Sequence, residues 1–114
     1  MNILSNFQLK KHNTFGISAK AKNFVAVSNT KELASILQTH QDVFVLGGGS
    51  NMLLTQDIEK LVVHINFKGI EVIKENEDYA WVKAQAGENW HKFVLWCLKH
   101  NYGGLENLSL IPGN

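Results

Sequence analysis

The sequence predicts an α+β fold made of two small lobes. The first observation is a strand–helix–strand pattern of about 25 residues that ends at Leu46. The second is the run of three glycines, Gly47-Gly48-Gly49, that follows directly. The third is a change, beyond these glycines, to short strands separated by polar and glycine punctuation. Together they favour a βαβ lobe at residues 23–54 and a mostly antiparallel lobe at residues 55–114.

The first lobe follows a segment with little periodicity, residues 1–22, which we expect to be an irregular lead-in. Asn23–Val27 and Val43–Leu46 are short apolar runs typical of strands. The segment between them is long enough to form a crossover helix. We therefore expect these two strands to run parallel.

The connecting helix is expected to begin after Asn29 and to end near Thr39. An asparagine at the cap, followed by Glu32 at the third helical position, is typical of a helix start. The apolar residues of the segment recur at i, i+3 and i+4, and therefore share one face: Leu33, Ile36 and Leu37.

The second lobe is expected to contain three strands, Leu61–Ile65, Ile70–Lys74 and Ala80–Ala86. Each is bounded by polar residues or glycine. The polar run Asn76-Glu77-Asp78 is typical of a hairpin turn between the last two strands. This part of the chain should therefore be mostly antiparallel.

A second helix is predicted after Gly87-Glu88-Asn89, with Gly103 as its C-terminal stop. Its apolar residues form a complete amphipathic stripe: Trp90, Phe93, Val94, Cys97 and Leu98. Such a stripe indicates core packing on the antiparallel sheet rather than an aromatic cofactor site, so Trp90 is given no ligand role. Cys97, the single cysteine, is expected to be a buried hydrophobic residue rather than a nucleophile.

Composition narrows the classes of function. With 45% hydrophobic and 18% charged residues the 114-residue chain is typical of one globular domain or part of one. The net charge is +1, and Lys10-Lys11 is the only basic doublet, so no nucleic-acid surface is expected. The five histidines lack metal-ligand spacing, so no metal site is expected. No run approaches transmembrane length and no signal peptide is apparent, so we expect no membrane partner and a cytoplasmic location.

The glycine run is the strongest candidate for a binding site. Glycine permits positive φ and close approach of the backbone to a ligand, and successive N–H groups can form a nest for an anion such as phosphate. Ser50 and Asn51 follow with polar side chains. The run does not open a helix as G-x-G-x-x-G does, and it lacks the lysine of a Walker motif. A plain glycine-rich turn between two buried strands is the alternative.

Four segments, in this order and spacing, resemble the N-terminal part of the UDP-N-acetylenolpyruvoylglucosamine reductase family (UDP-N-acetylmuramate dehydrogenases, MurB). They are His12-Asn13-Thr14-Phe15-Gly16, Leu46-Gly47-Gly48-Gly49-Ser50-Asn51, Ala86-Gly87-Glu88-Asn89-Trp90-His91, and Gly104-Leu105-Glu106-Asn107-Leu108-Ser109-Leu110-Ile111-Pro112-Gly113. Each segment alone is a weak signal. All four together span essentially the whole chain.

The resemblance implies an FAD-binding domain of the vanillyl-alcohol-oxidase or p-cresol-methylhydroxylase type, in a flavoenzyme of peptidoglycan synthesis. In that family NADPH reduces FAD, and the flavin passes hydride to the enolpyruvyl ether of UDP-N-acetylglucosamine. Two groups of residues match positions that bind FAD in that family. One is at the pyrophosphate: Gly47, Gly48, Gly49, Ser50, Asn51 and Met52. The other starts the loop beside the flavin: Ile111, Pro112, Gly113 and Asn114.

The resemblance also implies that the sequence is a fragment. The family's catalytic arginine, serine proton donor and glutamate lie in a part that would follow Asn114, and no residue here is assigned those roles. The fragment alone is expected to be inactive. Two alternatives remain open: a folded scaffold or interaction fragment without flavin, and a different oxidase on the same FAD fold.

Overall fold

The fold is described from a computed structural model that covers residues 1–50 and 52–114. Within these residues the chain forms six strands and two α-helices. In chain order they are β1 (Leu4–Gln8), β2 (Lys20–Val27), α1 (Thr30–Thr39), β3 (Val43–Leu46), β4 (Ile58–Ile65), β5 (Ile70–Glu75), β6 (Ala80–Ala84) and α2 (Trp90–Lys99). Two short 3-10 turns, Lys10–His12 and Glu106–Leu108, complete the fold.

The larger sheet has four strands in the order β1-β2-β4-β3. β4 pairs in parallel with both β2 and β3, so these two strands run in the same direction, as expected, but are not neighbours. The expectation that β4 belongs to the antiparallel lobe was wrong. Leu61, Val62 and Val63 are consecutive and all buried, which is the pattern of a central parallel strand covered on both faces.

The N-terminal segment is not wholly irregular, contrary to our expectation. β1 pairs antiparallel with β2 at the edge of the larger sheet. Four of its five residues are exposed. Since an edge strand with little burial needs no regular alternation of apolar residues, its sequence lacks the period that would have revealed it.

Two apolar clusters cover the faces of the larger sheet. The cluster on the α1 side contains Val25, Val27, Ile36, Leu61, Val63 and Phe67. The opposite cluster contains Leu9, Ala19, Ala21, Phe24, Leu46, Leu54 and Val62. The central strands β2 and β4 are therefore covered on both faces, and the sheet holds the ends of β3 and β4 side by side.

Helix α1 begins and ends as predicted. The Asn29 side chain accepts a hydrogen bond from the Glu32 N–H at 2.9 Å, and the Glu32 carboxylate accepts one from the Ser28 N–H at 2.8 Å. These two bonds satisfy donors that the helix itself cannot satisfy. Of the predicted apolar face, Ile36 is buried whereas Leu37 remains exposed.

The smaller sheet is the antiparallel hairpin β5–β6, as predicted. Its turn is held by Asn76, whose side-chain oxygen accepts hydrogen bonds from the N–H groups of Asp78 and Tyr79 at 2.9 and 2.8 Å. The α+β class is thus confirmed. The change from parallel to antiparallel pairing falls after Ile65 rather than at residue 55. The division into FAD-binding lobes at residues 23–54 and 55–114 remains a prediction.

Helix α2 starts after the Asn89 cap, which accepts from the Lys92 N–H at 3.0 Å. We expected Gly103 to end this helix, but the C-terminal end is set by Asn101. Asn101 has a φ of 60°, and the N–H groups of Asn101 and Tyr102 bond to Leu98 and Cys97 at 3.0 and 2.8 Å. This is a Schellman motif, with asparagine in the position that glycine usually occupies.

The second half of the chain buries little. α2 buries Val94 and Cys97, and it packs mainly against the Glu106–Leu108 turn rather than on the hairpin. Large side chains of the hairpin stay exposed, including Ile73 at 63% and Tyr79 at 69%. The molecule measures 50 × 30 × 17 Å, and its radius of gyration of 16.5 Å exceeds the roughly 13 Å of a compact domain of this length.

Candidate functional site

The glycine turn lies directly after β3, at the carboxyl end of the parallel strands. Leu46 pairs with His64 of β4 at the last position of the ladder, so the turn begins where the sheet ends. The structure describes Gly47, Gly48, Gly49 and Ser50 here, whereas Asn51 lies outside the described residues. Ligands of open α/β sheets commonly bind at this edge.

Gly49 is the only one of the three consecutive glycines with positive φ, at +69°. A Cβ at this position would overlap the His12 carbonyl oxygen and stand 2.8 Å from Asn13 Cα. The Gly49 carbonyl also accepts a hydrogen bond from the Thr14 N–H at 3.2 Å. The His12–Gly16 segment therefore packs directly against the glycine turn, and only glycine fits at residue 49.

Asn13 holds that segment in shape. Its side-chain nitrogen donates to the carbonyls of Leu9 and Ile17 at 2.8 and 3.1 Å, and its oxygen accepts from the Ile17 N–H at 3.0 Å. The residue is only 7% exposed. Reasoning from the sequence missed this role, because the Asn-Thr-Phe-Gly segment was noted only as a family resemblance.

Gly47 and Gly48 have more space around them than Gly49 has. A Cβ at Gly47 would have no heavy atom within 4 Å, and one at Gly48 would lie 3.0 Å from the Asn114 side-chain oxygen. Among the described residues, none is recorded as accepting a hydrogen bond from the backbone N–H of Gly48, Gly49 or Ser50. An accessible glycine backbone with available N–H groups is what an anion nest requires.

The structure brings only part of the second predicted group to the turn. Asn114 contacts the Gly48 region and lines a cavity of about 310 Å³. The other residues of that cavity are Ala84, Gln85, Ala86, Glu88, Trp90 and Phe93. Gly113 is held by α2, since its carbonyl accepts from the Trp90 N–H at 2.9 Å. Ile111 and Pro112 are exposed, and no contact between them and the turn is recorded among the described residues.

Met52 is placed differently from the glycines. It packs against the apolar cluster opposite α1 and lines a larger cavity of about 570 Å³. That cavity is formed by Phe44 and residues 52–60 and includes none of the three glycines. The structure thus gathers Gly47–Ser50 and Asn114 in one place and turns Met52 towards the core.

Two imidazoles lie behind the glycine turn. The rings of His12 and His64 are 5.0 Å apart, and the ring of His12 is also 5.4 Å from those of Phe7 and Phe24. Burial, together with the charge of His64, lowers the pKa of His12. His64 Nδ1 is buried and has no hydrogen-bond partner among the described residues.

Other chemically active residues lie away from this site. Cys97 is 4% exposed, and burial raises the pKa of its thiol, which confirms its predicted packing role. Within residues 1–50 and 52–114, no cluster of three or more histidine, cysteine or acidic side chains is placed to bind a metal. None of the helices in those ranges has the length and apolar character needed to cross a membrane.

These features fit a pyrophosphate-containing cofactor at the glycine turn. The open space at Gly47 and the exposed backbone of Gly48 beside Asn114 leave room for phosphate oxygens, and the Ser50 hydroxyl can add a donor. The described residues of the turn can hold and orient such a group. They bring no acid, base or nucleophile to it.

The family model described as FAD binding domain matches residues 21–114 of the chain. A solved structure, the UDP-N-acetylenolpyruvylglucosamine reductase (MurB) from Thermus caldophilus, aligns with 98% of this chain and 38% of its own, with a TM-score of 0.69. The sequence identity is 22%, so this likeness concerns the fold.

Curated relatives named UDP-N-acetylenolpyruvoylglucosamine reductase are closer in sequence. The protein from Flavobacterium johnsoniae is 61% identical over 100% of this chain and 34% of its own length. The protein from Pseudomonas putida is 48% identical over 92% of this chain and 32% of its own. The chain thus spans about a third of the length of these relatives. The resemblance drawn from the four sequence segments is confirmed, and the chain belongs to the FAD-binding domain family.

Proposed function

We propose that this chain is the FAD-binding N-terminal part of an NADPH-dependent reductase that converts UDP-N-acetylenolpyruvoylglucosamine to UDP-N-acetylmuramate in peptidoglycan synthesis. The observation that carries the proposal is the accessible glycine backbone at Gly47 and Gly48, at the carboxyl end of parallel strands, in a chain of the FAD-binding family. The names of the relatives supply the substrate.

In this proposal the residues of the turn bind the FAD pyrophosphate. The N–H groups of Gly48, Gly49 and Ser50 donate to phosphate oxygens, and the serine hydroxyl adds a further donor. Asn114 lies at the same place and limits the site on the side of the 310 Å³ cavity. When bound, the flavin supplies hydride-transfer chemistry, while this part of the chain holds it in place.

The remaining residues of the predicted FAD site stay within the proposal. Asn51 is included on the resemblance alone. Met52 contributes from the apolar side of the turn, and Ile111, Pro112 and Gly113 begin the loop beside the flavin. NADPH and the UDP-sugar are partners of the longer protein, in a cytoplasmic location, and nucleic acid and membrane are not partners.

A folded scaffold without flavin is the competing function, since the chain exposes apolar side chains in its second half. A binding titration separates the two. The purified chain is mixed with FAD, freed of unbound ligand and examined by visible absorption, with riboflavin as the comparison ligand. We expect a yellow complex with FAD and much weaker retention of riboflavin, which lacks the pyrophosphate. No retention of FAD would favour the scaffold.

A further inference from the structure

The first turn of α2 holds the segment that leads to Asn114. The Trp90 indole N–H donates to the Leu108 carbonyl at 2.8 Å, and the Trp90 backbone N–H donates to the Gly113 carbonyl at 2.9 Å. Between these two bonds, His91 Nδ1 lies 2.9 Å from the Ser109 hydroxyl and 3.2 Å from the Leu110 N–H. Two consecutive helix residues thus bind three consecutive positions of the segment, residues 108–110, and Gly113 near its end.

Leu110 has the least favourable backbone conformation in this segment. Its φ is 65°, in the left-handed region that a leucine rarely adopts, at a cost of order 1 to 2 kcal/mol. Its side chain is 74% exposed, so apolar burial does not offset that cost. Strain of this kind persists only where the surroundings impose it. The bond from the Leu110 N–H to His91 Nδ1 is the contact that the structure records at this backbone.

The chemistry of the donor fixes the role of His91 Nδ1. A backbone N–H can only donate, so Nδ1 is the acceptor of the bond from Leu110. The Ser109 hydroxyl lies 2.9 Å from the same atom and shares its single lone pair. One ring atom therefore sets the direction of the chain at two consecutive residues.

We propose that His91 is a positioning residue for the cofactor site. It holds Ser109 and Leu110 in the conformation that directs Gly113 onto α2 and Asn114 onto Gly48. The claim that His91 affects FAD binding rests on the proposed function. The claim that His91 fixes the conformation of Ser109 and Leu110 is independent of it.

Three variants of His91 distinguish positioning from general packing. In His91→Asn the side-chain oxygen occupies the place of Nδ1, since both atoms are bonded to Cγ. In His91→Gln the oxygen lies one bond further out, and in His91→Leu the acceptor is lost. The matched control is His100→Leu, which removes an exposed histidine at the other end of the same helix, where Nδ1 bonds to the Trp96 carbonyl.

The first measurement needs no ligand. Hydrogen exchange of the Leu110 amide is followed in each variant, with far-ultraviolet circular dichroism as the test of folding. We expect protection of this amide in the parent chain, in His91→Asn and in the control, and its loss in the Leu and Gln variants. Unchanged protection in a folded His91→Leu variant would overturn the proposal.

The second measurement is the Kd for FAD. Loss of a hydrogen bond that orients a site typically weakens binding roughly tenfold, so we expect this for His91→Leu and His91→Gln and recovery in His91→Asn. Loss of Leu110 protection without a change in the Kd for FAD would overturn the link from His91 to the cofactor site. Failure of the parent chain to bind FAD would refute the proposed function, and the exchange result would still decide the role of His91 in the segment.

Discussion

Gly48 and Asn114 meet in this fold although they belong to the two separate segments of the predicted FAD site. A Cβ on Gly48 would stand 3.0 Å from Asn114 Oδ1 and 3.4 Å from its Cγ. The contact joins the turn after β3 to the end of the segment held by α2. Space at residue 48 is therefore limited by a flexible side chain, whereas space at Gly49 is limited by backbone.

The first prediction concerns Gly48→Val. The added methyl groups displace the Asn114 side chain and occupy the proposed approach to the phosphates, so we expect FAD binding at least roughly tenfold weaker. Folding should be little affected, because φ is not positive and the neighbour can move. A titration of flavin fluorescence gives the Kd. Gly103→Val is the control, since a Cβ there meets nothing within 4 Å. Equal affinity of the two variants for FAD would rule out the glycine turn as the pyrophosphate site.

The second prediction separates steric overlap from backbone strain. Gly49→Ala places a Cβ on the His12 carbonyl at a φ of +69°, whereas Gly16→Ala has a similar φ of +63° in open space. We expect the Gly16 variant to lose about 1 kcal/mol of unfolding free energy and the Gly49 variant on the order of 3 kcal/mol. Urea unfolding measures both. Equal losses would contradict the packing of His12 against the turn.

The third prediction concerns Asn13→Ala. The change removes three hydrogen bonds and takes the acceptor from the Ile17 N–H, while the Leu9 and Ile17 carbonyls keep the His12 and Ala19 N–H donors. We expect a loss of about 2 to 3 kcal/mol in unfolding free energy. Asn107→Ala is an exposed asparagine control. If the two variants unfold at the same urea concentration, Asn13 does not hold the segment.

The fourth prediction is a pH dependence of stability. The pKa of His12 is lowered in the folded chain, so the unfolded chain binds more protons at this residue as the pH falls below 6.5. The stability that neutral His12 contributes is therefore present above pH 6.5 and is lost as the pH falls from there towards the lowered pKa. Urea unfolding midpoints between pH 7.5 and pH 5 should decline less in His12→Gln than in the parent chain. Parallel pH profiles would contradict the assignment.

The fifth prediction concerns catalysis. Hydride transfer requires the flavin, the substrate carbon and a proton donor to be held together. These 114 residues contain no arginine, and Gly47, Gly48, Gly49 and Ser50 themselves supply no titratable acid or base. We expect no NADPH consumption dependent on enolpyruvyl-UDP-N-acetylglucosamine by this chain with added FAD. Turnover at roughly 1 per second or more would refute this.

Much of the fold could be predicted because local signals agreed with tertiary packing. Asn29 with Glu32 set the start of α1, and Asn76 set the hairpin turn, through hydrogen bonds that span only a few residues. The position of β4 could not be read in this way. Its pairing with β2 and β3 depends on burial on both faces, which an apolar run indicates only once the sheet order is known.

The candidate site was predictable in part for the same reason. Gly47–Ser50 could be found because consecutive glycines after a strand are a local pattern. The role of His91 could not, since only the fold brings Ser109 and Leu110 near it. The role of Asn13 could not because the sequence does not reveal that this residue is buried. The packing of Met52 against the apolar cluster could not be predicted either, and its part in the FAD site stays a prediction.

The position of β4 also determines when the glycine turn can form. β3 has one strand neighbour in the larger sheet, β4, which follows it in the sequence. During synthesis on the ribosome, β3 has nothing to pair with until Ile65 has emerged, and pairing of this non-local kind is slow compared with helix formation. The glycine turn therefore gains its frame only once β4 has paired with β3. A chain that ends before β4 has the three glycines but lacks the strand that holds β3 in the larger sheet.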